Sequence, residues 1–155
     1  TKIGANWALV ARAPVAKDSL PQNAVAPCIS NSHADGLFSI AFAPVIPEAR
    51  ASLNGLGGTL TFDHLSDARQ FVVVDLRYQL GLGGWMDFLP TRTLIVQAQA
   101  AKDAGNAMLA HALFNQVCDH LTASLWYAQS GNRGKRNVAM MRDGGWRDPL
   151  GDGSS

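Results

Sequence analysis

The sequence predicts an α+β fold: an antiparallel β-sheet followed by a long C-terminal helix, completed by dimerisation. Three observations lead there. Between Gln70 and Leu80, Val72, Val74, Leu76, Tyr78 and Leu80 fall on one parity, and Val73, Asp75, Arg77 and Gln79 on the other. That period of two marks a strand with one buried face. From Asp103 to about Ala128 the spacing turns helical, with Ala110, Leu113, Val117, Leu121 and Leu125 recurring at three and four residues. Strands followed by a terminal helix place that helix across a sheet face. The third observation is charge: 16% of the residues are charged, against about 25% in an average soluble domain. Glu48 is the only glutamate, and the lysines are Lys2, Lys17, Lys102 and Lys135. Subunit contacts are depleted in both residue types, so the composition points to a surface spent on other subunits.

Each element follows in order. Asn6 to Ala13 reads as a short extended segment ended by Pro14, and Lys17 to Asp35 as loops punctuated by Pro21, Pro27 and Asn31. Leu37 to Ala43 is a strand closed by Pro44 and Pro47. Gly57-Gly58 opens the alternating Thr59 to Asp63, His64 to Ala68 is a turn, and the Gln70 to Leu80 strand comes next. Gly81 to Gly84 forms a loop leading through Trp85 to Pro90, after which Thr91 to Ala100 alternates as the last strand. Asp103 is the expected N-cap of the helix, Gly105 a bend near its start and Gly131 its stop. The chain therefore divides into a single domain, residues 1–130, and a Gly/Arg-rich arm, residues 131–155. The arm's arginines suit bidentate contacts on a neighbouring subunit.

Several function classes fall away. A hydrophobic share of 47% with a net charge of +1 excludes a disordered polyelectrolyte. No apolar run approaches the ~18 residues of a spanning helix, so no membrane partner is expected. Thr1-Lys2-Ile3-Gly4 lacks an apolar core of the signal-peptide kind. Cys28 and Cys118 show neither CxxC nor Cys/His spacing, so no zinc site or disulfide framework is indicated. The glycine tetrads Gly55–Gly58 and Gly81–Gly84 do not continue to GK[ST], and Leu60 and Met86 spoil GxGxxG. Both suit loops. His111 and His120 fall on opposite sides of one helix at about 100° per residue. His33 with Asp35, and His64 with Asp63 and Asp67, make an acid–base or metal cluster only if the fold joins them. No GxSxG, HExxH or Cys/His nucleophile signature is present. No catalytic residue, metal ligand or cofactor is assigned.

The order of strands, tight turn, long amphipathic strand, glycine loop, strand and helix resembles the coat proteins of small single-stranded RNA bacteriophages, the leviviruses. Gly57 to Gln79 (GGTLTFDHLSDARQFVVVDLRYQ) carries the likeness best, and Trp85 to Gln116 looks like the last strand entering the first C-terminal helix. The resemblance implies a homodimer with a continuous sheet, tiling an icosahedral shell around single-stranded RNA. It places the protein in the virion, assembled in the host cytoplasm. The open sheet face would meet RNA through Thr59, Thr61, Arg77, Thr93, Gln97 and Gln99, with Asp63, Val73 and Asp75 on the same face. Arg77 is the first choice for a phosphate contact. Two other functions compete: a tailed-phage ring or tail subunit without nucleic acid, and a small homo-oligomeric Asp/His enzyme with its site near His64.

Overall fold

A computed structural model describes residues 42–57 and 60–147. Among them the chain is all helical, and the expected antiparallel sheet is absent. Six helices follow one another: α1 (Val45–Asn54), α2 (Thr61–His64), α3 (Asp67–Asp87), α4 (Leu89–Asp103), α5 (Ala107–Thr122) and α6 (Leu125–Asp143). The expected segment Asn6 to Ala13 and most of the Leu37 to Ala43 strand lie outside the described residues.

The α+β expectation fails first at Gln70 to Leu80, which lies inside α3. Every residue from Ala68 to Leu76 is buried, so both parities of the supposed strand face the core. A helix enclosed on all sides has no polar stripe, and its sequence loses the 3.6-residue period. Three consecutive valines, Val72 to Val74, add a β-like signal. Their intrinsic penalty in a helix is at most about 0.7 kcal/mol each, less than the ~1.5–3 kcal/mol gained by burying each side chain. Ser66 starts the helix by accepting the backbone N–H of Arg69 at 3.3 Å. Gly81 interrupts it with φ 71° and ψ 170°, a conformation essentially reserved for glycine.

The expected last strand, Thr91 to Ala100, is α4. Its burial, at Thr91, Arg92, Ile95, Ala98 and Gln99, steps at one, three and four residues. Pro90 sits in its first turn, where the missing N–H is harmless. Asp103 ends α4 and does not cap a following helix. At Gly105 the chain turns with φ +81°, and Asn106 caps α5 by accepting from the N–H of Leu109 at 3.1 Å.

The single long helix is also divided. Ser124 accepts from the N–H of Tyr127 at 3.3 Å and starts α6. Gly131 does not stop α6; it breaks the helix locally, at φ 55° and ψ −133°, and the helix runs on to Asp143. Residues 131–143, placed in the arm by sequence, thus send Val138, Met140 and Met141 into the core. One cluster holds the molecule together: Leu53 of α1, Phe62 of α2, Val72 and Leu76 of α3, Ile95 of α4, Phe114 and Val117 of α5, and Met141 of α6. Buried polar contacts tie helices across it. Trp85 Nε1 donates to Ser52 Oγ at 2.7 Å, and Arg92 donates to the carbonyls of Ser52 and Met86 at 3.0 and 2.9 Å. Arg69 donates to the carbonyls of Met141 and Arg142, both at 2.8 Å. Its guanidinium lies 3.5 Å above the Phe114 ring.

Candidate functional site

Of the residues assigned to RNA by the sheet reading, those described are spread over three helices and do not form one face. Thr59 lies outside the described residues. Thr61 is buried in α2, and Arg77 pairs with Glu48 of α1. Thr93 Oγ1 donates back to the Leu89 carbonyl at 2.9 Å, whereas Gln97 projects from α4 into solvent. Gln99 is buried and donates to Asp103 Oδ1 at 2.8 Å. Alternate residues share a face on a strand, but on a helix successive residues rotate by about 100°.

His64 acquires a carboxylate partner. His64 Nδ1 lies 2.7 Å from Asp103 Oδ2, bridging α2 to the end of α4. Asp103 is thereby held on both oxygens, by His64 and by Gln99. Its pKa is pulled below the usual carboxylate value, first by the hydrogen bond from His64. The neighbours in sequence are engaged elsewhere or apart. Asp63 accepts from Arg50 at 3.1 Å and Asn54 at 3.4 Å, and Asp67 sits in the first turn of α3. Among the described residues, no group of three or more His, Cys, Asp or Glu side chains is arranged to hold a metal.

A second constellation was not read from sequence. Asp75, fully buried in α3, accepts from Gln79 Nε2 at 2.7 Å, Asn137 Nδ2 at 2.6 Å and Arg133 Nε at 3.1 Å, with a second bond from Arg133 Nη2. The chain of bonds continues from Gln79 Oε1, which accepts from Trp126 Nε1 at 3.1 Å. Four donors on one carboxylate satisfy it in the interior. Asp75 and Gln79, like Arg133 and Asn137, are four residues apart, so each pair shares a helix face. That spacing is the signal available in the sequence, but it speaks only after both segments are known to be helical.

Beside this network, α3 and α6 part to leave a cleft of about 410 Å³. Leu80, Phe88, Leu125 and Trp126 supply its apolar wall, and Gln79, Ser124, Gln129 and Ser130 its polar one. None of these side chains is charged, so the cleft offers shape and hydrogen bonds but no acid or base. The glycine breaks at Gly81 and Gly131 immediately follow Leu80 and Ser130 on its two sides. Leu125, which lines the cleft, is 72% exposed, and Leu82, Met86 and Leu89 are exposed in the stretch of chain on either side of Phe88. Among the described residues no helix is long and apolar enough to cross a membrane. No family model, no curated protein and no solved structure matches the chain.

Proposed function

We propose that the chain is a structural subunit that associates with copies of itself through the apolar side chains exposed along residues 82–89 and at Leu125. The observation that carries this reading is the coincidence of two independent features. Large apolar side chains stand exposed at Leu82, Met86, Leu89 and Leu125, the last of them lining an uncharged cleft. The same chain carries one glutamate and four lysines, the residues that usually keep a solitary protein apart from its copies. Exposed apolar side chains of this size are what subunit contacts cover. The shell around single-stranded RNA expected from the sequence is one form such association takes, but its proposed sheet face is replaced here by helices.

Light scattering on the full chain and on Leu125→Asp and Met86→Asp tests the reading. Wild type is expected to elute as a dimer or larger species, and each variant to shift toward the monomer with unchanged far-ultraviolet circular dichroism. The 260/280 nm absorbance ratio of the assembled fraction reports whether RNA travels with it. A wild-type monomer at micromolar concentration, with the helices intact, contradicts the reading.

A further inference from the structure

The described residues contain three histidines, all exposed, and they differ in what holds the ring. His111 Nε2 lies 3.1 Å from the amide of Asn115, and His120 lies in the last turn of α5. His64 alone among them has a carboxylate on Nδ1, at 2.7 Å, while its side chain stays 46% exposed. A carboxylate on Nδ1 fixes the tautomer, placing the proton there and the lone pair on Nε2. Asp103 is itself fixed by Gln99, so the ring is oriented by a group that is oriented in turn, the arrangement that activates nucleophiles and bases. Lys102 is exposed beside the pair, and its positive charge helps to hold Asp103 ionised. From the other side, Asp63 is occupied by Arg50 and Asn54.

We propose that His64 is a nucleophilic site for phosphoryl groups, with Asp103 as its positioning residue and Lys102 as the cation that meets the incoming anion. Nε2 attacks phosphorus and forms the N–P bond. The bond from phosphorus to the leaving group breaks, and its electron pair departs with that group. When phosphoramidate is the donor, the leaving group is ammonia. The ring keeps its Nδ1 proton, and the positive charge it gains is offset by Asp103. No oxidant or reductant is needed. The proposal does not depend on self-association.

The test is incubation of the full chain with phosphoramidate near neutral pH. Site-resolved mass spectrometry follows the label, and ³¹P NMR distinguishes the two ring nitrogens. His64 is expected to label at Nε2 about tenfold or more faster than His111 and His120, the lower end of what an orienting partner is worth. Asp103→Asn is expected to bring His64 down to their rate and to spread the label over both nitrogens, a change of regiochemistry that loss of packing alone does not produce. His64→Gln removes the fast phase. Equal labelling of the three histidines in wild type overturns the proposal without recourse to any variant. So does an unchanged rate and regiochemistry in a folded Asp103→Asn protein.

Discussion

Asp75 shows how a single side chain decides where two helices meet. It is fully buried, but its principal cation, Arg133, keeps 43% of its side chain in solvent. The two halves of the pair should therefore respond differently to removal. Arg133→Met leaves a buried carboxylate with only amide donors, and a loss of roughly 3 kcal/mol is expected. Asp75→Asn frees Arg133 to turn outward and is expected to lose roughly 1–2 kcal/mol. Urea unfolding midpoints give the order, and equal losses would contradict this account of the pair. Cys118 makes a second case. Burial pushes its thiol up to about 11, so at neutral pH it is almost entirely protonated and enclosed. Site-resolved alkylation is expected to leave Cys118 unmodified in the native chain and to reach it only on unfolding. Neither role was legible in the sequence. A lone Asp in a valine run and a lone Cys acquire meaning only from residues some sixty and twenty positions away, Arg133 and Val138, which meet them in the fold.

At the scale of elements, the glycines that interrupt helices are legible in the sequence, whereas the caps and the apolar period are not. Gly105 marks a turn, and Gly81 and Gly131 mark breaks, as glycine's freedom suggests. Gly81 and Gly131 have open space where a Cβ would go, so strain alone should set the effect of substitution. Gly131→Ala is expected to destabilise by about 1–3 kcal/mol, read from thermal unfolding of the variant against wild type. The stripe Ala110, Val117 and Leu121 does face the core in α5, yet its apparent continuation at Leu125 belongs to α6 and is exposed. Ser124, an unremarked serine in the sequence reading, makes the difference by capping a new helix. The link between α2 and α4 carries a pH dependence. Asp103 is held below the ordinary carboxylate value, so its contact with His64 contributes stability above about pH 4. That contribution is lost as pH falls through the depressed folded value. Acid unfolding of Asp103→Asn should accordingly lack the part of the wild-type slope that this group supplies. An identical slope would show that the contact is not formed in solution.

For the molecule as a whole, the fold class was misread because its central helix is enclosed. Burial on all sides of Ala68 to Leu76 erased the helical period that sequence reasoning depends on. The valines then supplied a strand-like pattern in its place. Helix α6 continues through Gly131, past the boundary expected at residue 130, and Val138, Met140 and Met141 join the core. What survives from composition is the scarcity of Lys and Glu, because it concerns the surface and holds whatever elements lie beneath. The structure adds exposed apolar side chains at Leu82, Met86, Leu89 and Leu125, which the proposed self-association would cover.

Sedimentation equilibrium of the full chain across a dilution series tests this claim most directly. A mass that is a multiple of the 16.5 kDa chain, falling toward the monomer on dilution or with Leu125→Asp, is the expected result. A constant monomer mass throughout the micromolar range, with native helicity retained, would contradict it.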